Sequence, residues 1–147
     1  MINDLIKFLI KAKRDGYASG DTTIVKNEDG SSSTNFSNGD FKFNDSWFGT
    51  TPFGGREIVW RKNKPYWIMV YYGEEFIEGE KAIPTLRKAL SKMPEDFPAR
   101  GPRKLMNGEY RYENNWKGSL GNFSGEENIF LKGEKVFSCW YKGGLVK

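Results

Sequence analysis

Apolar residues recur along the chain with two different periods, one helical and one typical of strands. Between residues 3 and 14 they fall on one helical face, which predicts a first helix that ends at Asp15-Gly16. Pro84 suits the first turn of a second helix that runs to about Met93. Elsewhere apolar and polar residues alternate, which predicts strands near 33–37, 40–47, 56–62 and 65–72, and near 103–106, 109–116, 126–132 and 135–142.

Short turns between these strands carry the residues that tight hairpins use. Asn38-Gly39 and Asn107-Gly108 suit two-residue turns that need positive φ at both central positions. Asn63-Lys64 and Gly133-Glu134 mark two further turns, and the polar stretch 28–35 is the most loop-like part of the chain. Strands joined by tight turns form an antiparallel sheet, so we expect the helices to pack on one side of it.

Residues 39–73 occur a second time, in altered form, at 108–143. Matching positions lie 69 or 70 residues apart, including Trp47 with Trp116, Gly55 with Gly125, Glu57 with Glu127, Lys62 with Lys132 and Tyr71 with Tyr141. A duplicated unit predicts a pseudo-twofold molecule. The sequence therefore predicts an α+β fold in one domain, 1–147. Two pseudo-symmetric helix-plus-four-strand repeats, about 1–75 and 80–147, form a mostly antiparallel sheet with helices on one side.

The last strand of each repeat shows which face is buried. Alternation places one set of aligned apolar residues toward the core: Trp67, Met69, Tyr71, Phe137, Cys139 and Tyr141. The opposite face carries Tyr66, Ile68, Val70 and Tyr72 in the first repeat, and Val136, Ser138, Trp140 and Lys142 in the second. The first of these strands is therefore expected to be central or covered, and the second half-exposed.

Composition narrows the classes of chemistry. The chain has no His and a single Cys, Cys139, which excludes Ser-His-Asp and Cys-His catalysis, imidazole metal sites and internal disulfides. A net charge of +4 is spread among acidic residues, so the charges do not favour nucleic acid as a partner. No signal peptide or membrane-spanning stretch is evident, and a cytoplasmic location is expected.

Glu57 and Glu127 are the leading candidates for functional residues. By strand parity each carboxylate shares a face with Val59 or Ile129, and a carboxylate facing the core must be paired or protonated. Two of them related by pseudo-symmetry form either a paired-carboxylate acid/base site or two structural anchors. Arg100, held before a Gly-Pro turn, either grips an anionic ligand or bridges one of these carboxylates internally.

An excess of aromatic residues adds Trp67, Tyr71 and Tyr141 as candidate ligand contacts, although aromatic residues in strands are mostly core. The basic groups, which include Lys11-Ala-Lys13-Arg14, are interpreted as solvated faces. Asp45 and the nearby acids lack the loop spacing of a calcium site, so no metal is predicted.

Several of these stretches together resemble an uncharacterised prokaryotic domain-of-unknown-function family, whose members occur alone or behind a repressor-type helix-turn-helix domain. The matching stretches are Ala12-Lys13 with Tyr17-Ala18-Ser19, Phe53-x-Gly55-x-Glu57-x-Val59, Pro65-x-Trp67-x-Met69-x-Tyr71-Tyr72-Gly73, Ala89-Leu90, Arg100-Gly101-Pro102, Phe123-x-Gly125-x-Glu127-x-Ile129 and Tyr141-x-Gly143-Gly144. They span nearly the whole chain, with a departure at Lys142, where a His is usual. The resemblance implies a ligand-sensing or partner-binding module, whose regulatory role would here be indirect.

The leading hypothesis is a non-catalytic module that binds a small molecule or a protein partner, without a cofactor and without an assigned catalytic residue. The alternative is a carboxylate-based enzyme that uses Glu57 and Glu127. That reading requires the two carboxylates to lie about 5–10 Å apart and open to a cleft. Nucleic-acid binding would require a continuous basic face and strongly salt-dependent affinity. Oligomeric state is left open.

Overall fold

A computed structural model describes residues 2–15 and 23–147. Gly16, expected to end the first helix, and the stretch Tyr17-Ala18-Ser19 lie outside the described residues. The helices and strands are α1 (Ile2–Arg14), β1 (Val25–Lys26), β2 (Ser32–Asn38), β3 (Phe41–Gly49), β4 (Phe53–Arg61), β5 (Lys64–Glu75), α2 (Ile83–Ser91), β6 (Lys104–Asn107), β7 (Tyr110–Ser119), β8 (Asn122–Leu131) and β9 (Glu134–Leu145).

The strands form one antiparallel sheet in the order β1-β2-β3-β4-β5-β9-β8-β7-β6. The described fold is thus α+β, with the last strands of the two halves, β5 and β9, paired at the centre and Tyr71 opposite Tyr141. Corresponding strands also pair in the same register, since Glu57 lies between Asp45 and Met69, and Glu127 between Asn114 and Cys139. Superposition of the two halves stays a prediction.

Both helices pack on one face of the sheet, where the core lies. Acidic Asp4 lies in the first turn of α1 and three basic residues lie in its last turn, an arrangement that suits the helix dipole. Glu75, at the end of β5, accepts a hydrogen bond from the Ala82 backbone N–H at 2.8 Å and so anchors the start of α2. The six core-facing residues predicted on β5 and β9 are all buried. Among the described residues, no helix is long and apolar enough to cross a membrane.

The hairpin turns are shifted by one residue from the predicted positions. Asn38 and Asn107 end strands, and the central turn residues begin at Gly39 and Gly108, which alone adopt positive φ. This is the pattern of a turn with Gly first. The two-residue turns with positive φ at both positions are Lys62-Asn63 and Lys132-Gly133 instead.

Strand alternation fails at one position in each half. Register shifts at Val59/Trp60 and Ile129/Phe130 leave an extra residue on the partner strand, which is the geometry of a β-bulge. The bulge brings Tyr66 and Val136 to the helix side, where they join the core, so their assignment to the opposite face was wrong. The stretch expected to be loop-like also differs, because Ser32 onward forms β2 and the residues 31–34 are buried.

Candidate binding site

Five side chains from one helix, three strands and the segment after α2 meet beneath the helices and form what we call the N-terminal polar cluster: Lys13, Asp45, Glu57, Tyr71 and Arg100. Asp45 and Glu57 are direct cross-strand neighbours on β3 and β4, and both are buried. Tyr71 on β5 donates a hydrogen bond to Asp45 Oδ1 at 2.6 Å. Lys13 Nζ lies 2.8 Å from Glu57 Oε1 and donates to the carbonyl oxygen of Ala99. A helix, three strands and the segment after α2 are thus tied together at this point.

The second half holds an equivalent group, the C-terminal polar cluster: Arg100, Tyr112, Asn114, Glu127 and Tyr141. Arg100 Nε donates to Glu127 Oε1 at 2.7 Å, and Tyr112 donates to Glu127 Oε2. Tyr141 donates to Asn114 Oδ1 at 2.5 Å, while Asn114 Nδ2 donates to the Gly101 carbonyl at 2.8 Å. Each side-chain oxygen of Glu127 and Asn114 therefore has a donor, and the cluster is closed.

Glycine is required at one matching position in each cluster. A Cβ atom on Gly55 would lie 2.6 Å from the Tyr71 hydroxyl, and one on Gly125 would lie 2.2 Å from the Tyr141 ring. Each tyrosine therefore passes over a glycine on the neighbouring strand to reach Asp45 or Asn114 one strand further on. The recurrence of both glycines in the repeat follows from this close approach.

Two substitutions between the repeats change the chemistry of the N-terminal cluster. Phe43 stands where the second half has Tyr112, so Glu57 lacks the phenolic donor that Glu127 receives. Asp45 stands where the second half has Asn114. A cavity of about 50 Å³ opens beside these residues, lined also by Lys13, Tyr71 and Arg100. The Lys13 ammonium, 2.8 Å from Glu57 Oε1, takes the place that Arg100 has beside Glu127.

Burial dominates the electrostatics of the N-terminal cluster. Burial, and then the charge of Glu57, raises the pKa of Asp45 to about 7, against the opposing effects of the Tyr71 hydrogen bond, Arg100 and Lys13. Burial also lowers the pKa of Lys13, although its pairing with Glu57 opposes that shift. At neutral pH Asp45 is therefore poised between its protonated and ionised forms.

The pKa shifts of Arg100, Tyr112 and Tyr141 in the C-terminal cluster all lead away from neutrality. Burial disfavours the charge of Arg100, but the neighbouring Glu127 carboxylate holds the pKa of the guanidinium well above its ordinary value. Burial, followed by Glu127, raises the pKa of Tyr112. Burial likewise raises the pKa of the Cys139 thiol to about 12, so this cysteine carries little thiolate at neutral pH.

The structure brings only some of the predicted site residues to the cavity. Glu57, Tyr71 and Arg100 line it, whereas Glu127 is fully buried between its two donors. Trp67 is also fully buried; its indole N–H donates to the Leu120 carbonyl at 3.0 Å. Tyr141 belongs to the closed cluster, so of these six residues three lie away from the cavity.

Two cavity residues were not identified as site residues from the sequence. Lys13 was interpreted as part of a solvated basic face, which is wrong because the structure buries it beside Glu57. Lys13 follows Leu5 and Leu9 at intervals of four residues, and this spacing could have placed it on the buried face of α1. Asp45 shares strand parity with the buried Phe43 and aligns with Asn114, which together point to a buried acid.

The fold and its two clusters define an α+β domain built on a single antiparallel sheet that buries paired polar groups under its helices. Residues 45–146 match the family model of a domain of unknown function, DUF5680, and the chain belongs to this family. The match confirms the resemblance to an uncharacterised domain family; it includes Asp45, Glu57 and Arg100 but not Lys13. No curated protein and no solved structure shows significant similarity to the chain.

Proposed function

We propose that this protein is a non-catalytic binding module whose small-molecule site is the cavity of the N-terminal polar cluster. The difference between the two clusters carries this proposal. Corresponding positions form a closed hydrogen-bonded network in the C-terminal half, whereas the N-terminal half combines a cavity, a buried acid at Asp45 and a Glu57 carboxylate that Lys13 holds but that lacks a phenolic donor. A carboxylate has about four acceptor positions, so one beside a cavity has room for a further donor from a ligand.

The charges around the cavity favour a small cation that donates hydrogen bonds. Two cations, Lys13 and Arg100, face three carboxylates, Asp45, Glu57 and Glu127, so the group carries a charge of −1 when all are ionised. A cavity of about 50 Å³ has room for only a few water-sized groups. A protonated amine of the size of methylammonium fits both the volume and the charge, and it would replace the proton of Asp45.

The roles of the site residues follow from their positions. Glu57 and Asp45 would accept hydrogen bonds from the ligand, with Tyr71 holding Asp45 in place. Arg100 lines the cavity and links it to Glu127, while Trp67 and Tyr141 would support the site from the core. In this proposal the site belongs to one cytoplasmic domain built from two pseudo-symmetric repeats, about 1–75 and 80–147, which senses the ligand for a partner protein.

Thermal unfolding with and without small amines tests the proposal. At pH 8, methylammonium or ammonium at a hundredfold excess over Kd should stabilise the protein by about 2.7 kcal/mol, and neutral methanol or acetamide should not. The matched control is the double variant Phe43→Tyr/Asp45→Asn, which gives the N-terminal cluster the side chains of the closed one. Stabilisation of this variant by amines, or no effect of a wider metabolite panel on the wild type, would contradict the proposal.

A carboxylate-based enzyme is the second candidate, and the structure changes which residues it would use. Glu127 is sealed by Arg100 and Tyr112, which removes the cleft that a Glu57–Glu127 pair needs. Asp45 beside Glu57 fits better, because a carboxyl group with a pKa of about 7 next to a second carboxylate suits a general acid and base. Turnover of a glycoside or ester panel that is lost in both Asp45→Asn and Glu57→Gln would support it.

A further inference from the structure

The face of the sheet opposite the helices, which we call the outer face, exposes three large apolar side chains near its centre. Val70 and Tyr72 on β5 and Trp140 on β9 are each about half exposed there, at 49%, 55% and 53%. Tyr72 and Trp140 are direct cross-strand neighbours at the centre of the sheet. β5 is therefore central, as predicted, but it is not covered. An exposed apolar patch at the middle of a sheet marks an interaction surface.

The outer face also concentrates positive charge. Strand registers place seven exposed cationic side chains on it: Lys42, Arg56, Lys104, Arg111, Lys117, Lys135 and Lys142. The acidic side chains on the same face are Glu74, Glu113 and Glu126, all partly buried. Of these acids, Glu113 is 3.5 Å from Arg111 and Glu126 accepts a hydrogen bond from Asn128. Folding thus gathers seven positive and three negative side chains, a net charge of +4, on this face, although the charges are scattered along the sequence.

Rings and cations are interleaved in two open depressions on this face. One, of about 720 Å³, is lined by Tyr72, Trp140, Lys117 and Lys142 among others. The other, of about 550 Å³, lies toward the edge formed by β2 and β3 and includes Trp60 with Lys42 and Arg56. Aromatic rings that stack on bases and cations that contact phosphates, spread over an open sheet, are the elements of a surface for single-stranded nucleic acid.

We propose that the outer face binds single-stranded nucleic acid, with Tyr72 and Trp140 as stacking platforms and Lys117, Lys142 and Arg56 as phosphate contacts. A second copy of the chain fits this face less well, because face-to-face packing would set one positive surface against another. Duplex DNA fits less well too, since the described residues place no helix on this face that could enter a groove. The proposal is independent of the ligand cavity, which lies on the helix side.

Fluorescence anisotropy with labelled oligonucleotides tests this surface. Mixed-sequence single-stranded RNA and DNA of about 20 nucleotides should bind more tightly than the same sequences as duplexes, and the two single-stranded probes separate RNA from DNA. With three or four phosphate contacts, affinity should fall roughly twentyfold to fiftyfold between 50 and 200 mM salt. Tyr72→Ala and Trp140→Ala should each weaken binding by roughly fivefold to a hundredfold.

Charge reversal at two matched positions distinguishes binding at the outer face from nonspecific electrostatic attraction to the whole protein. Lys142→Glu lies on the outer face and should weaken binding about tenfold, whereas Lys88→Glu on α2 makes the same change in net charge on the helix side and should have less than about a twofold effect. Melting temperatures confirm that the variants fold. No binding at low salt, equal loss in both charge variants, equal duplex binding, or a dimer that Trp140→Ala dissociates would each overturn the proposal.

Discussion

Replacing Asp45 by asparagine should stabilise the protein, and increasingly so as the pH rises. Because the pKa of Asp45 in the folded chain is about 7 and its ordinary value is 3.8, the folded chain holds a proton that the unfolded chain has released between those values. The stability that this proton contributes is complete below pH 3.8 and is lost as the pH rises through about 7. Asparagine keeps the acceptor for Tyr71 and carries no charge.

The size of the stabilisation by Asp45→Asn follows from the pKa shift of Asp45 on folding. A difference of about three pH units corresponds to roughly 4 kcal/mol at pH 8, of which roughly 2–3 kcal/mol develops between pH 5 and pH 8. For a domain of this length that is roughly 10 °C in Tm at pH 8. The chain contains no histidine, so no imidazole titrates in this window and obscures the carboxyl group.

Urea unfolding, followed by tryptophan fluorescence at pH 5, 6, 7 and 8, measures this difference. The wild type should lose stability as the pH rises, and Asp45→Asn should lose roughly 2–3 kcal/mol less across the series. Asn114→Asp is the reciprocal control, because it places an acid at the matching position of the closed cluster, beside Glu127. It should introduce a loss of stability with rising pH. The reasoning fails if Asp45→Asn destabilises the protein at pH 8 or leaves the pH dependence unchanged.

Three further predictions concern stability and are measured by urea unfolding at pH 7. Phe43→Tyr should stabilise the protein by about 1 kcal/mol, because it offers Glu57 the phenolic donor that Glu127 already has. An unchanged stability would show that water already donates to Glu57 at that position. Glu127→Ala should lower the free energy of unfolding by roughly 3–5 kcal/mol, because it leaves two buried donors without an acceptor, and Glu57→Ala should lower it by roughly 1–3 kcal/mol. The Gln variants should each lose less. Equal losses for the two Ala variants would contradict the difference between the clusters. Gly125→Ala should cost at least about 1–3 kcal/mol by displacing the Tyr141 ring.

The sequence predicted the elements of the sheet well because strand alternation and hairpin residues are local signals. It placed the two Asn-Gly turns one residue early and the other two turns one residue late, since the register of a two-residue turn depends on which cross-strand pair closes it. Lys62 and Lys132 adopt positive φ, which lysine rarely does and which composition therefore does not indicate. The bulges that bring Tyr66 and Val136 to the core have no local signature either.

The candidate site was predictable where burial follows from parity and not where it depends on tertiary contacts. Glu57 and Glu127 were identified because strand alternation alone places them inward. Lys13 lies in a run of basic residues, and only the packing of α1 over Glu57 distinguishes it from its neighbours. The charge of the outer face was missed for a related reason: the cations are far apart in sequence and become neighbours only through strand pairing.

A buried acid at Asp45 lowers the stability of the fold at neutral pH, whereas the matching position of the second half holds an uncharged asparagine. This difference bears on function. The second half of the chain shows that this fold accepts asparagine at the matching position, with both the oxygen and the nitrogen of the side-chain amide hydrogen-bonded. The first half instead keeps a buried acid that costs stability at neutral pH, next to a cavity and a second buried carboxylate, Glu57. Costly local arrangements in otherwise consistent folds are typical of functional sites. If the acid serves a cationic ligand, Asp45→Asn should raise stability and abolish amine binding in the same molecule. A purely structural acid would show only the gain in stability.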